Sequence, residues 1–252
     1  MLTKTESIVL KTRKYSEADL IVTCLTPDKG IISAFAKSPR KTRSRFGSSL
    51  EPLTHAKISL WGKEQSMPKI TQSDIINSFH ELRDNFHDFV NISKLAEILI
   101  ALMPEAAPNK KIFSFFLSIL ALIKSSAEEP KDALFIIAQI RLLAITGYAP
   151  RLKGCGKCGR KSHNFYPASG AILCSKCASS QNVRLNESPL KIADRTLGFY
   201  THSIEWPIVT SRRLKPHKDT ITELSAVIDI HLKYLLNKKL HSSSFLADTA
   251  EK

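Results

Sequence analysis

The chain has 252 residues, long enough for just under two domains at about 150 residues each. With 43% hydrophobic and 24% charged residues, its composition excludes a mostly disordered chain. Thirty-seven Lys and Arg against 23 Asp and Glu give a net charge of +14, which favours a polyanionic partner, nucleic acid first. The opening Met1-Leu2-Thr3-Lys4-Thr5-Glu6 lacks the apolar stretch of a secretory signal. The longest near-apolar run, Ile112 to Ile123, has 12 residues and two serines, well short of the roughly 20 that a bilayer requires. These features predict a cytoplasmic protein with no membrane partner. The excess charge falls in two blocks. Residues 1–80 are net +6 and residues 151–182 are net +6, while 81–150 between them are net −1.

In chain order, residues 1–80 read as strands. Ser7 to Arg13 and Leu20 to Leu25 are β-rich, and Thr26-Pro27-Asp28-Lys29-Gly30 is a turn. Strands resume at Ile31 to Ala36, Leu53 to Trp61 and Ile70 onward. Five short strands punctuated by Gly and Pro predict a small barrel or sandwich. Past residue 84 the period becomes helical. Phe86, Phe89, Val90, Leu95, Ile98, Leu99 and Leu102 recur three and four apart, with Asp84 or Asn85 as cap. A second helix is predicted at Lys110 to Ser125, capped by Asn109, and a third from Pro130 to Thr146, stopped by Gly147. Ser188-Pro189 should start a further helix reaching about His202, and Asp219 to Asn237 should form the last; the tail after Leu246 should fray. The predicted division is a strand domain at 1–80 and a helical domain at 81–252, with an insertion at 151–182.

That insertion holds Cys155-Gly156-Lys157-Cys158 and Cys174-Ser175-Lys176-Cys177, two CxxC pairs separated by 15 residues. The spacing is that of a four-thiolate zinc site. Disulfides are disfavoured without a secretory signal, a redox CxxC needs a thioredoxin-like βαβ frame, and iron–sulfur clusters usually space their cysteines differently. Four thiolates close a tetrahedral shell, so the expected zinc is structural. His163 is then a surface side chain rather than a ligand, and Cys24, in an apolar strand, a small core residue. Lys153, Lys157, Arg160, Lys161 and Lys176 offset the negative charge of the thiolates.

The strand region carries Lys37-Ser38-Pro39-Arg40-Lys41-Thr42-Arg43-Ser44-Arg45-Phe46-Gly47, five cations within nine residues. Lys37, Arg40, Lys41, Arg43 and Arg45 are candidate phosphate contacts. Phe46 or Trp61 could stack a base, whereas Phe35 is expected in the core. There is no GxxxxGK[ST], HExxH or GxSxG motif, and the GxGxxG at 154–159 overlaps the cysteine positions and has no strand–helix frame. No catalytic centre is predicted.

The order of parts resembles the RecO family of bacterial recombination mediators. The matching stretches are Ile8-Val9-Leu10 with Glu17-Ala18-Asp19, Thr26 to Gly30, Ala36-Lys37 through Ser44-Arg45-Phe46-Gly47, and Leu50-Glu51-Pro52. Gly147-Tyr148-Ala149-Pro150 and Ser244-Phe245-Leu246 extend the match. The resemblance implies an α+β multidomain protein: a five-stranded oligonucleotide/oligosaccharide-binding (OB-fold) β-barrel, then an all-α helical domain with a four-cysteine zinc-finger insertion. It also implies a nucleoid-associated, non-catalytic DNA repair protein that binds single- and double-stranded DNA and anneals complementary strands. Such a protein assists the loading of RecA on DNA coated with single-strand-binding protein (SSB). Its partners would be RecR and the C-terminal tail of SSB, with RecA engaged indirectly. Ser38 departs from the glycine usual there, which predicts a less tightly bent turn. Two other readings of the same residues are an RNA-binding or ribosome-associated zinc protein, and a zinc-dependent enzyme acting on nucleic acid. The second needs an open metal position and a nearby Glu.

Overall fold

The computed structural model describes residues 1–40, 44–63, 66–126, 131–180, 188–211, 213–237 and 240. The chain forms two compact units, residues 1–128 and 129–241. The expected first turn at Pro130, the stretch Ser244-Phe245-Leu246 and the tail after Leu246 lie outside the described residues. Among the described residues, no helix is long and apolar enough to cross a membrane.

Strands β1 (Leu2–Lys14), β2 (Leu20–Thr26), β3 (Gly30–Ala36), β4 (His55–Trp61) and β5 (Lys69–Asn77) close into a barrel in the order β1-β2-β3-β5-β4. This is the OB-like ring that was expected. The 13-residue β1 serves two neighbours in this ring: its first half pairs with β4 and its second half with β2, across a register shift between Val9 and Lys11. Alternation sends Val9, Val22, Cys24, Ala34, Ala36, Ala56, Ile58, Leu60 and Ile70 into one core. Burial pushes the Cys24 thiol up to about 12, so it is an inert core side chain as expected. At the β2–β3 turn, Thr26 Oγ1 donates to the Gly30 carbonyl at 2.9 Å and accepts from the Lys29 amide at 3.1 Å. Gly30 has φ +66°, and a Cβ there would sit 2.2 Å from the Ala107 carbonyl oxygen, so the position admits only glycine.

Three helices follow in the same unit: α1 (His80–Asp84), α2 (Phe86–Leu102) and α3 (Lys110–Ser125). Asn85 and Asn109 cap α2 and α3 by accepting from the Asp88 and Ile112 amides. The switch to helical period near residue 84 therefore marks a change of secondary structure inside one compact unit. Arg83 ties α1 to the barrel's approach segment, pairing with Glu51 at 2.8 Å and donating to the carbonyl of Pro52 at 3.0 Å. Ile31 and Glu105 form a parallel bridge, and Phe113 meets His55 edge-on.

The second unit contains α4 (Asp132–Thr146), which ends at Gly147 with φ 84°. Next come β6 (Asn164–Tyr166), a 3-10 turn (Pro167–Ser169), β7 (Ala171–Ile172), α5 (Ser175–Ser179) and β8 (Leu190–Lys191). It ends with α6 (Asp194–Glu205), α7 (Ile208–Ser211) and α8 (Lys218–Leu236). The helix expected from Ser188-Pro189 starts instead at Asp194. Leu190 and Lys191 pair with Phe165 and Asn164, and the Ile192 amide donates to the His163 carbonyl, so a long-range sheet takes residues that the local signal assigned to a helix.

Candidate metal centre and nucleic-acid interface

Two glycines shape the first cysteine knuckle. Gly154 and Gly159 both have φ +73°, and a Cβ on Gly154 would lie 2.9 Å from the Gly159 carbonyl oxygen. The tight loop lets the Cys155 backbone accept from the Gly159 amide and donate to the Arg160 carbonyl. The Gly156 amide bonds the Ile172 carbonyl, which brings the β7 end and hence Cys174 to the first pair. Cys174 is the N-cap of α5, and one turn of that helix carries Cys177 back to the same point.

The four Sγ atoms of Cys155, Cys158, Cys174 and Cys177 lie within 4.8 Å of one another, and none is in a disulfide. Cys158 Sγ and Cys174 Sγ are 3.7 Å apart. A metal–sulfur bond of about 2.3 Å puts tetrahedral sulfurs about 3.8 Å apart, so the quartet fits a four-coordinate metal ion. Burial opposes the Cys155 thiolate, yet backbone hydrogen bonds from Cys174, Cys158 and Lys157 outweigh it and bring the thiol down to about 6. Cys177 moves the other way, to about 12, because its thiol proton is held in hydrogen bonds to the sulfurs of Cys174 and Cys158. The Cys177 backbone hydrogen bond lowers Cys174 too, so the site has two readied thiolates and one thiol held protonated by its neighbours. It completes its ionisation only when a cation offsets the accumulating charge.

His163 lies off this cluster and pairs with Asp194 at 3.0 Å, as a surface side chain would. His163 and then Lys161 hold the Asp194 carboxyl below its ordinary range. Of the rim cations, Lys153 pairs with Glu205 and Lys161 with Asp194, leaving Lys157, Arg160 and Lys176 exposed. The knuckle is fixed to its unit by α8. His231 Nε2 lies 2.8 Å from the Tyr148 carbonyl, and its ring stands under Gly170 and edge-on to Phe165. Desolvation lowers the His231 pKa, partly countered by the Tyr148 hydrogen bond.

In the first unit, the basic loop leaves the end of β3. Lys37, Arg40 and Arg45 are exposed; Lys41 and Arg43 lie outside the described residues. The root of the loop is pinned to the β1–β2 turn. The Ser38 amide donates to Asp19 Oδ1 at 2.7 Å, the Arg40 amide to the Ala18 carbonyl at 3.3 Å, and Arg40 Nη1 to the Glu17 carbonyl at 2.8 Å. Ser38 has φ 57°, so the turn keeps the left-handed bend of a glycine and is not relaxed as expected. Sequence reasoning missed the role of Asp19. Its only signal was membership of the Glu17-Ala18-Asp19 stretch.

Phe46 corrects the stacking expectation. It is 3% exposed and fills the barrel core with Leu50, while the Arg45 guanidinium lies over its ring at 4.9 Å. The inward alanines 34, 36 and 56 leave space that strand side chains do not fill, and these two loop residues occupy it. Phe35 is corrected in the opposite sense. Its neighbours Ala34 and Ala36 point inward, so its ring lies on the outer face, half-buried against Tyr15. Trp61 is 60% exposed.

Comparison with known proteins agrees with this architecture along its length. Residues 1–79 match the family model described as Recombination protein O N terminal, and residues 85–244 match Recombination protein O C terminal. The chain is 39% identical over 229 residues to the DNA repair protein RecO of Thermodesulfovibrio yellowstonii, covering 90% of this chain and 91% of that protein. Identity to the RecO of Dehalococcoides mccartyi is 31% over 240 residues, 94% of this chain and 91% of that one. A Nocardioides RecO is 32% identical over 242 residues, 92% and 96% of the two chains. With both halves matched in order and relatives aligned nearly end to end, the chain belongs to the RecO family of DNA repair and recombination proteins.

Proposed function

We propose that the protein is a non-catalytic recombination mediator that binds single- and double-stranded DNA, anneals complementary strands and assists RecA loading on SSB-coated DNA. Its partners in this reading are RecR and the C-terminal tail of SSB, with RecA reached indirectly, in the cytoplasm at the nucleoid. The observation that carries the reading is the cationic loop: Lys37, Arg40 and Arg45 are exposed beside a closed OB-like barrel, on a root held by Asp19, Ala18 and Glu17. Two DNA strands repel through their phosphates. A surface that displaces condensed counterions lowers that repulsion, and bases can then pair with no bond cut or formed by the protein.

The quartet Cys155, Cys158, Cys174 and Cys177 would hold Zn²⁺, an ion suited to four thiolates. All four positions are then taken by sulfur. The ion would supply folding energy to the knuckle, and the residues leave no place for a reacting water.

The test is replacement of Arg40, Lys41, Arg43 and Arg45 together by alanine. DNA affinity should fall, and the log–log dependence on salt should flatten by up to about four units. Annealing of SSB-coated strands should require the SSB tail in the unaltered protein. Unchanged affinity and slope in the variant would sink the assignment of the loop, and annealing indifferent to the tail would sink the mediator.

A further inference from the structure

Strand register assembles a second feature on the barrel. Arg13 of β1 pairs with Ile21 of β2, Ile21 with Phe35 of β3, Phe35 with Lys69 of β5, Lys69 with Trp61 of β4, and Trp61 with Leu2 at the start of β1. Directly paired residues point to the same side of a sheet. The adjacent row, Leu20, Ala36, Ile70 and Leu60, lines the core, so the row through Phe35 and Trp61 faces outward. It alternates cation and aromatic along half its length: Phe35, Lys69, Trp61.

The aromatic members are presented rather than hidden. Tyr15 is 66% exposed and stands edge-on to Phe35, with ring centroids 5.6 Å apart at 84°. Trp61, two strands away and so about 10 Å across the sheet, is 60% exposed. The Phe35 amide donates to the Pro68 carbonyl at 2.8 Å, which fixes β3 against the approach to β5 at this level. Met1, Gly62 and Pro68, the chain neighbours of Leu2, Trp61 and Lys69, help line a groove of about 670 Å³ at that end, which Asp28 and Glu105 also line. At the other end, Lys37 follows β3 directly and Arg40 bonds the Glu17 carbonyl in the turn that also holds Tyr15. The row therefore runs into the cationic loop.

A globular core does not need a tryptophan and a tyrosine this exposed, and an apolar partner would not select the cations between and beside them. Unpaired bases satisfy both. Their faces stack on aromatic rings while the backbone phosphates meet the cations, and every base offers such a face whatever the sequence. Stacked inside a duplex, the same faces are unavailable. We infer that Tyr15, Phe35, Lys69 and Trp61 form a stacking platform for single-stranded nucleic acid on the outer face of the barrel, continuous with the cationic loop. The inference rests on the DNA-binding reading above. It adds a discrimination that the loop lacks: the loop takes any phosphate backbone, and the platform takes only unpaired bases.

The test uses a fluorescein-labelled oligo(dT) and a duplex of equal length, read by anisotropy. Trp61→Ala and Tyr15→Ala remove exposed rings and leave the core intact. Each should weaken oligo(dT) binding about tenfold and duplex binding less than twofold, and Trp61→Phe should retain most of the affinity. In a Trp206→Phe variant, where Trp61 is the remaining tryptophan, oligo(dT) should quench the emission and duplex should not. Unchanged oligo(dT) affinity in a Tyr15→Ala/Trp61→Ala double variant, with loop substitutions still weakening both ligands, overturns the platform and spares the loop. Equal losses on strand and duplex also overturn it. No DNA binding by the unaltered protein overturns the DNA-binding reading, and this inference with it.

Discussion

The two most basic stretches of the chain, the barrel with its loop and the cysteine insertion, each carry a net +6, but different forces hold them in shape. The barrel has an interior: eleven buried side chains form its core cluster, two of them lent by the basic segment and the turn after it. The insertion buries only a small apolar set, Leu152, Phe165, Ala171, Ile172 and Leu173. Its own strands have three and two residues, too short to persist as an independent sheet, and it converges on four sulfurs. The same net charge thus stands mainly on apolar burial in one region and, once the quartet holds its metal, on coordination in the other.

Metal removal should separate the two most strongly. Chelation, or Cys158→Ser, should abolish hydrogen-exchange protection from Gly154 to Cys177 and leave the barrel amides protected. Structural zinc in small modules is worth about 10 kcal/mol or more, so the local effect should be complete. One equivalent of metal should be released from the intact protein. Protection that survives in the knuckle without metal would erase the contrast.

A smaller effect should follow pH just below neutrality, on the cysteine side. His231 is buried with Nδ1 unpartnered, and desolvation holds its pKa below 6.5. The unfolded chain binds a proton at that position near 6.5 while the folded one resists it. Stability from this contact is therefore present above about 6.5 and declines as pH falls toward the depressed folded value. Amides of Phe165 and Gly170 should exchange faster on acidification, and His231→Gln should flatten that dependence relative to the parent. An unchanged pH profile in that variant would remove His231 as the cause.

The smallest effect is expected at the loop root. Ser38 in the left-handed region costs about 1 kcal/mol, so Ser38→Gly should raise the midpoint of urea unfolding of the barrel slightly and leave the knuckle's exchange unchanged. A loss of stability would mean that the serine side chain, rather than the backbone, governs this turn.

Local rules located much of this in advance. The bounds of α3 and its Asn109 cap follow from period and capping alone, and the metal quartet from spacing. The misses share a cause. Phe46 sits among cations and beside Gly47, where an aromatic looks available for ligand. Whether it turns inward depends on the small volume of alanines on other strands, Ala34, Ala36 and Ala56. Leu190 and Lys191 follow a good helix start, and pairing with Asn164 and Phe165 overrides it. Phe35 faces out because register, not hydrophobicity, fixes its side of the sheet. Each outcome was set by a neighbour distant in sequence.

The close approach of Gly30 to Ala107 limits how the molecule can be dissected. The β2–β3 tip is seated on the α2–α3 connection, with Ile31 bridged to Glu105 and Arg83 clasping the Glu51–Pro52 bend. A fragment cut where the strands end, near residue 80, would strip those partners and bare Ile31 to water. A fragment carried through α3 keeps them, and in it the strand row and its loop can be studied apart from the cysteines.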